Sequence, residues 1–207
     1  MNRLRVAVLL SGAGSSLENL IECAQAGDVP AEVVLVIASK SGAGGLERAR
    51  RHGIPAVAIP RRDHPDVGDF NDAIHAELAR HEVDLIALLG FLSPFETRGR
   101  FAERVINVHP SLIPAFCGKG FYGRRVHEAV LEAGVKVSGA TVHFADDHYD
   151  QGPIILQEAV SVREDDTPES LAERVQAAER RLVPQAIRLF AEGRLSVKGN
   201  RVRIHGA

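Results

Sequence analysis

The sequence is poor in the features that mark secreted, membrane-spanning and nucleic-acid-binding proteins. It has only two cysteines, Cys23 and Cys117, among 207 residues, which is too few for a disulfide scaffold and fits a reducing cytoplasm. Its longest apolar stretch, residues 85–92, is well short of the roughly 18 residues that a membrane-spanning helix needs. The formal net charge is −2, which gives no overall attraction to nucleic acid or to an anionic membrane. We therefore expect a cytoplasmic protein, in which any anionic ligand is bound by a local group of residues and not by the overall charge.

The composition is 45% hydrophobic and 25% charged, which is typical of globular proteins, and the length suits one domain over residues 1–207. In the first half, short apolar runs alternate with segments of helical periodicity, as in a parallel sheet whose strands are joined by helices. The predicted fold class is therefore α/β with a doubly wound, mostly parallel sheet. The predicted strands are Val6–Leu10, Val33–Ala38, Ala56–Ile59, Leu85–Leu89 and Val105–Val108, and the predicted helices are Leu17–Ala26, Leu46–His52 and Phe70–His81.

The pattern changes after Pro110, where a long loop rich in glycine and aromatic residues begins. Two longer strands, 135–145 and 154–162, are joined by a polar turn and are expected to form a C-terminal β-pair. A long helix then begins at Thr167-Pro168-Glu169, because threonine is a favourable N-cap and proline suits the first helical position. Pro184 is expected to kink this helix.

A glycine-rich loop, residues 11–16, follows the first predicted strand and opens the first helix. Free backbone N–H groups and the helix dipole favour a phosphate there, although Gly-x-Gly alone fits a tight turn equally well. A dinucleotide site is disfavoured, because Leu17 replaces the third glycine of that motif and Ser39-Lys40 stand where an acidic ribose ligand is expected. The loop also lacks the Gly-Lys-Ser/Thr ending of a P-loop. The remaining hypothesis is a phosphate monoester held by the N–H groups of Gly14, Ser15 and Ser16.

A second polar motif, Asn107-Val108-His109-Pro110-Ser111, ends the fifth predicted strand, where open α/β sheets place their ligands. Alternate strand residues share a face, so Asn107 and His109 should project together. Asp150 follows in a turn punctuated by Gly152-Pro153. An amide, an imidazole and a carboxylate that converge can hold a carbonyl oxygen, move a proton and orient the proton carrier. The predicted chemistry is acyl transfer without a nucleophilic side chain.

Other interpretations of these residues remain open. A lone Asn-x-His is more often a polar strand end with a satisfied histidine, and a turn aspartate commonly caps its own backbone. His143 either supports the site or is merely packed. A metal site is the competing hypothesis, but its candidate ligands form neither a His-Glu-x-x-His motif nor a paired-cysteine spacing, so no metal is expected. Those candidates are His109, His127, His143, His148, Asp146, Asp147 and Asp150.

Several motifs together resemble the folate-dependent phosphoribosylglycinamide formyltransferase family, over a match that runs from Arg5 to about Val197. That family has a formyltransferase-like, Rossmann-type fold, consistent with the predicted sheet, C-terminal β-pair and long helix. The Asn-x-His and Asp elements are shared by all relatives that use formyltetrahydrofolate. The motifs are Ser11-Gly-x-Gly-Ser-Ser-Leu17, Gly45-Leu-Glu-Arg-Ala49, Gly90-Phe91, Asn107-x-His-Pro-Ser-Leu-x-Pro114, Gly139-x-Thr-Val-His-Phe144 and Asp150-x-Gly-Pro-Ile-x-x-Gln157.

The resemblance implies that the protein transfers a formyl group from 10-formyltetrahydrofolate, its co-substrate, to the amine of glycinamide ribonucleotide in purine biosynthesis. Asn107 and a protonated His109 would hold the oxyanion, while Asp150 orients His109 and helps to move the amine proton through water. The substrate phosphate would lie on residues 14–16. The resemblance further assigns Gln176 and Glu179 to the ribose hydroxyls, and Leu89, Phe91, Leu92, Ser93, Ala145, Asp146 and Asp147 to the folate.

The chain departs from the family pattern in four places, one of which is Gly44, where an aromatic residue is frequent. It reads Gly90-Phe-Leu-Ser-Pro-Phe95 where relatives often have Gly-Phe-Met-Arg-Ile-Leu, and the stretch from there to Asn107 is about two residues shorter. Ser16 replaces the more usual asparagine of the phosphate loop. The glycine-rich loop 115–123 is longer than in some relatives and is a candidate mobile cover.

Three alternative functions are weighed against formyl transfer to glycinamide ribonucleotide. A formyltetrahydrofolate hydrolase has the same catalytic trio but resembles a family with an added N-terminal domain, for which a first strand starting near Arg5 leaves no room. A methionyl-tRNA formyltransferase would need a tRNA-binding domain and a basic surplus. A non-catalytic phosphate-binding module would not explain the trio. We expect small-molecule substrates, no nucleic-acid or membrane partner, and either a monomer or a homodimer.

Overall fold

The structure is a computed structural model that describes residues 3–206. It divides between Ile106 and Asn107 into two compact units. The single domain expected over residues 1–207 remains a prediction, and Met1, Asn2 and Ala207, which it includes, lie outside the described residues.

The first unit is a parallel sheet joined by helices. Its strands are β1 (Leu4–Leu10), β2 (Ala31–Ala38), β3 (Ala56–Ala58) and β4 (Leu85–Leu88), and its helices are α1 (Ser15–Ala26), α2 (Gly44–Arg51) and α3 (Val67–Leu78), with a 3-10 turn at Arg61–Asp63. The strands lie in the order β3-β2-β1-β4. Every pairing among them is parallel.

Burial explains why these segments fold as they do. Residues 6–10 of β1 are all fully buried, as expected for a strand covered on both faces. Helix α1 buries Leu17, Leu20 and Ile21 on one face, at the spacing of a helical stripe. The helix ends at Gly27, whose φ of 84° is the left-handed C-cap that glycine adopts without strain.

The second unit is a mixed sheet with one short and one long helix. It contains β5 (Val105–His109), whose first two residues precede the division, then α4 (Arg124–Glu132), β6 (Val137–Phe144), β7 (Ile154–Ser161), α5 (Pro168–Ala191), β8 (Leu195–Lys198) and β9 (Arg201–Ile204). Its strands lie in the order β5-β6-β7-β9-β8. The β6–β7 and β8–β9 pairs are antiparallel.

Helix α5 has the start that the sequence predicts. Thr167 and Ser170 form a reciprocal capping box, and Pro168 occupies the first turn. The helix runs uninterrupted to Ala191 through Pro184, where the sequence predicts a kink. The buried residues on both sides of this proline offset the lost backbone hydrogen bond; they are Leu182, Val183, Ala186 and Ile187.

The predicted fold class is therefore confirmed, with a mostly parallel α/β sheet, a C-terminal strand pair and a long helix. Most strand and helix boundaries differ from the predicted ones by one to three residues. Among residues 3–206, no helix is both long and apolar enough to cross a membrane.

Candidate active site

The Asp150 carboxylate is the centre of a polar cluster in the second unit. Its Oδ1 accepts a hydrogen bond from Nδ2 of Asn107 at 3.3 Å and lies 3.6 Å from Nε2 of His143. Its Oδ2 accepts from the Gly118 N–H at 2.8 Å and lies 3.5 Å from Nδ1 of His109. Asn107 and His109 thus converge on the Asp150 carboxylate, with His143 beside them. The structure therefore brings together the three residues that the sequence predicts as a catalytic set.

A tight turn between β6 and β7 presents this carboxylate. Asp150 adopts φ = 56°, a left-handed conformation that aspartate tolerates better than most residues. Two residues later, Gly152 lies so close to β6 that a Cβ atom would come within 1.8 Å of the Phe144 carbonyl oxygen. The turn therefore requires glycine at this position, and the close approach places Asp150 beside the end of β6.

His109 has an acceptor at each ring nitrogen. Its Nε2 contacts the Phe116 carbonyl oxygen at 2.9 Å, so this nitrogen carries a proton. Burial lowers the pKa of His109, and His143 acts in the same direction, against the opposing effects of Asp150 and the Phe116 carbonyl. The imidazole is therefore mostly neutral at neutral pH in the free site, although a second proton would give both acceptors a donor.

Asn107 commits its amide group within the site. His143 contacts the backbone carbonyl of Phe144 through Nδ1 at 2.9 Å, so in its neutral form Nδ1 carries the proton and Nε2 accepts. Nδ2 of Asn107 lies 3.1 Å from that Nε2, and its other hydrogen reaches Asp150. His143 is 1% exposed and contacts both the Asn107 amide and the Asp150 carboxylate.

The ionised form of Asp150 is favoured by its neighbours. Burial acts to raise the pKa of this carboxyl, but contacts with His143, His109 and the Gly118 N–H outweigh it and hold the pKa below the ordinary value. A permanent negative charge in this position can orient His109 and stabilise it when it takes up a proton.

A backbone loop, residues 115–120, supplies two of these contacts through Phe116 and Gly118. Its start is braced by Ser111, whose hydroxyl donates to the Ala115 carbonyl at 2.6 Å, and by Thr141, whose hydroxyl donates to the Ser111 carbonyl at 2.7 Å. The loop thus occupies the proton-bearing nitrogen of His109 and one oxygen of Asp150. Sequence reasoning missed these partners, because a backbone N–H or carbonyl leaves no residue-type signal.

The predicted phosphate loop lies in the first unit. Gly14 is the N-cap of α1 with φ = 78°, and the N–H groups of the first helical turn have no intrahelical partner. Ser15 is exposed and Ser16 is half-buried. The loop therefore offers the unpaired donors and positive helix end that favour an anion.

The first of the two predicted folate segments, residues 89–93, is tied to that loop. The Ser11 N–H donates to the Gly90 carbonyl at 3.0 Å, and the Leu92 N–H donates to the Ser11 hydroxyl at 2.9 Å. The Leu92 side chain is 51% exposed, an apolar surface that a flat ligand can cover. In the second unit, Ala145 is half-buried, and Asp146 and Asp147 are exposed.

Gln176 and Glu179 lie three residues apart on α5, so they share a face. Gln176 is exposed and Glu179 is half-buried. Burial raises the pKa of Glu179 to about 7, with Arg180 opposing the shift. A carboxyl that titrates at neutral pH can donate or accept a hydrogen bond.

No group of three or more histidine, cysteine, aspartate or glutamate residues within 3–206 is arranged to hold a metal ion. His109, His143 and Asp150 instead contact one another, Asn107 and the backbone. This arrangement suits proton movement and oxyanion binding.

Comparisons with known proteins identify the family. A family model described as formyl transferase matches residues 4–187. The chain is 40% identical over 196 residues to the chloroplastic phosphoribosylglycinamide formyltransferase of Arabidopsis thaliana, covering 93% of this chain and 67% of that protein. It is 42% identical over 200 residues to the trifunctional purine biosynthetic protein adenosine-3 of Gallus gallus, covering 95% of this chain but only 19% of that protein. The solved glycinamide ribonucleotide transformylase 1 from Symbiobacterium toebii has a TM-score of 0.93 and 42% identity, covering 99% of this chain and 95% of that chain.

Proposed function

Because the chain belongs to the formyl transferase family, we propose that it transfers the formyl group of 10-formyltetrahydrofolate to the primary amine of glycinamide ribonucleotide, a step of de novo purine biosynthesis. The observation that carries this proposal is the convergence of Asn107 and His109 on the half-buried carboxylate of Asp150. Two of the relatives described above carry names for this transferase or transformylase activity.

The reaction needs no nucleophilic side chain. The substrate amine attacks the formyl carbon, which forms a C–N bond and places negative charge on the formyl oxygen. Collapse of this intermediate breaks the bond to N10 of the folate, and the proton lost by the amine passes to that nitrogen. The protein has to stabilise the oxyanion and move one proton.

Asn107 and His109 are assigned to the oxyanion. In the free site the Asn107 amide hydrogens already have partners, but the one given to Asp150 spans 3.3 Å, which is long for an N–H to oxygen bond. That hydrogen is the one most readily exchanged for a better acceptor. A charged formyl oxygen is such an acceptor, because hydrogen bonds to an ionised group are the stronger ones.

His109 has to direct an N–H donor toward the position where the oxyanion develops. Its Nε2 proton is engaged by the Phe116 carbonyl, so loop 115–120 has to release it when substrate binds. Burial favours the neutral ring at rest, whereas a neighbouring oxyanion and the Asp150 carboxylate favour the cation. His109 therefore takes up a proton from solvent as the intermediate forms and returns it after the intermediate collapses, which reconciles its lowered pKa with a protonated role in the reaction.

The other predicted site residues are assigned to binding the two substrates. The phosphate is assigned to the N–H groups of Gly14, Ser15 and Ser16, and the ribose hydroxyls to Gln176 and Glu179. The folate is assigned to residues 89–93 and 145–147. The free N–H groups at the start of α1 support the first assignment, and the exposed Leu92 supports the last.

The direct test mixes the protein with glycinamide ribonucleotide and 10-formyltetrahydrofolate and follows the formylated ribonucleotide by mass spectrometry. The proposal predicts product in proportion to tetrahydrofolate formed. Release of formate without that product would identify a hydrolase, and ligand binding without any turnover would identify a non-catalytic module. A parallel reaction with the Asp150→Asn protein controls for contaminating activity.

A further inference from the structure

Glu18 lies in the first turn of α1, the helix whose N-terminus is assigned to the substrate phosphate. A carboxylate in this position stabilises the helix end, but it also repels a second anion at the same end. Hydrogen bonds from His52 and Arg48 hold the pKa of Glu18 below its ordinary value. Glu18 is thus ionised at neutral pH, and its charge has to be compensated for a phosphate to bind there.

Arg48 of α2 contacts both this carboxylate and the phosphate loop. Its Nε donates to the Ala13 carbonyl at 2.9 Å, and its Nη1 donates to Glu18 Oε2 at 3.1 Å. His52, one turn further along the chain, contacts Glu18 Oε1 at 2.7 Å through Nε2. Both oxygens of Glu18 are therefore engaged by nitrogen atoms of another segment.

The backbone around this contact leaves little room for rearrangement. The Gly45 N–H donates to the Gly12 carbonyl at 3.1 Å. A Cβ atom on Gly14 would lie 2.6 Å from Gly45 Cα and 3.4 Å from Cδ of Arg48. The start of α2 and the side chain of Arg48 thus pack directly against the glycine that begins α1. The hydrogen bond from Arg48 fixes the Ala13 carbonyl, which directly precedes residues 14–16.

We propose that Arg48 is a positioning residue of the phosphate site, because its guanidinium joins the Ala13 carbonyl to the Glu18 carboxylate, fixing the loop and neutralising a negative charge in the first turn of α1. This inference rests on the proposed function for the identity of its ligand. Arg48 is not a catalytic residue in this scheme, so its effect should fall on the affinity for the phosphate-bearing substrate. The KM for the folate and the kcat should change little.

The test compares Arg48→Met, Arg48→Lys and the double variant Arg48→Met/Glu18→Gln, with Arg51→Met as the matched control at an exposed arginine of the same helix. Steady-state kinetics give each KM and kcat, and inorganic phosphate serves as a competitive inhibitor. Arg48→Met should raise the KM for glycinamide ribonucleotide and the inhibition constant of phosphate about tenfold, since a hydrogen-bonded charge is lost. Arg48→Lys keeps the charge but cannot make both contacts, so its effect should be smaller.

The double variant distinguishes the loss of charge compensation from a non-specific disruption of the structure. Removing the Glu18 charge should restore at least about threefold of the lost affinity for both ligands. An unchanged KM for the ribonucleotide in Arg48→Met, a parallel change in both KM values, or no recovery in the double variant would overturn the inference. If even the unmodified protein forms no formylated product, the proposed function fails, and phosphate binding measured by calorimetry on the same variants still decides the role of Arg48.

Discussion

Oδ2 of Asp150 faces Nδ1 of His109 across 3.5 Å, a separation slightly too long for a strong hydrogen bond. The other nitrogen of the ring already donates to the Phe116 carbonyl. A second proton on His109 would turn the Asp150 contact into a charge-assisted hydrogen bond. In the free site, burial therefore favours the neutral form of His109, whereas the Asp150 carboxylate favours the protonated form. An oxyanion that forms nearby shifts this equilibrium toward the protonated form.

Replacing Asp150 with asparagine should lower kcat by roughly 100- to 10,000-fold, the usual contribution of a positioned proton-transfer group. The amide keeps the size of the side chain but removes the negative charge that faces His109 and His143. Steady-state assays and a melting curve would be run beside Asp165→Asn, an exposed aspartate outside the cluster. A folded Asp150→Asn protein with normal turnover would exclude the assigned role.

Replacing Asn107 with alanine should reduce kcat by roughly 100- to 1,000-fold, as expected for loss of one oxyanion donor. The KM values should change little, because the interaction forms only with the charged intermediate. The same substitution leaves Nε2 of His143 and Oδ1 of Asp150 without the Asn107 amide as a partner. A His143→Gln variant keeps Asn107 but alters one contact that orients its amide, so its loss of kcat should be smaller. Unchanged turnover in Asn107→Ala would rule out this assignment.

The candidate site of Asn107, His109 and Asp150 could be predicted from sequence because its signals are local. Asn107 and His109 alternate at the end of an apolar strand, and Asp150 is marked by the Gly152-Pro153 turn. The apolar runs were likewise sufficient for the parallel strands, since a strand buried on both faces has an almost continuous apolar sequence.

The contacts that complete the site were not accessible in this way. Phe116 and Gly118 act through backbone atoms, which carry no residue-type signal. Arg48 is separated from Glu18 by 30 positions, and only the packing of α2 against the first loop brings the two together. The continuation of α5 past Pro184 illustrates a different limit, because buried neighbours on both sides stabilise a helix whose intrinsic propensity proline lowers.

A buried histidine outside the catalytic set should make stability depend on acid. His127 is 3% exposed, and its Nδ1 has no hydrogen-bond partner among the described residues. Burial, with a contribution from His109, lowers the pKa of His127. Because the folded pKa lies below the unfolded one, the stabilisation is present above the ordinary value of 6.5 and is lost as the pH falls through the folded pKa.

His127→Leu should therefore flatten the fall in unfolding free energy between neutral pH and mildly acidic pH. One linked proton corresponds to a slope of at most about 1.4 kcal/mol per pH unit. Urea unfolding at several pH values would measure the slope, with His148→Leu as a control at an exposed histidine. An identical slope in the His127→Leu and unmodified proteins would contradict the prediction.

The phosphate loop should tolerate a methyl group at Gly12 but not at Gly14. A Cβ on Gly14 would meet the Gly45 backbone at 2.6 Å, and its φ of +78° disfavours other residues, whereas a Cβ on Gly12 has no described atom within 4 Å. Gly14→Ala should cost about 1–3 kcal/mol of unfolding free energy and raise the KM for glycinamide ribonucleotide. Gly12→Ala should change the unfolding free energy by less than about 0.5 kcal/mol. Equal destabilisation in paired denaturation curves would count against this packing.

Glu179 should weaken the fold at alkaline pH, in contrast to His127. Its pKa is raised by burial from 4.5 to about 7, so the stability linked to this carboxyl is present below the unfolded value and is lost as the pH rises through about 7. Glu179→Gln, which cannot ionise, should be more stable than the unmodified protein at pH above about 7 by up to about 3 kcal/mol, and by less to the extent that water reaches this half-buried side chain. At pH near 4.5 the two proteins should differ little.

The same substitution replaces the proposed carboxylate acceptor of the ribose hydroxyls with a neutral amide oxygen, which accepts more weakly, so the KM for glycinamide ribonucleotide should rise while stability improves. Glu173→Gln, at an exposed position on the same helix, should change neither quantity. Unfolding curves at acidic and alkaline pH, with KM measured on the same preparations, would test both effects. A stability gain independent of pH would argue against titration of Glu179. A stability gain without a change in KM would contradict the assignment of Glu179 to the ribose hydroxyls. A helix position that costs stability when ionised is expected where its carboxylate is retained to bind substrate.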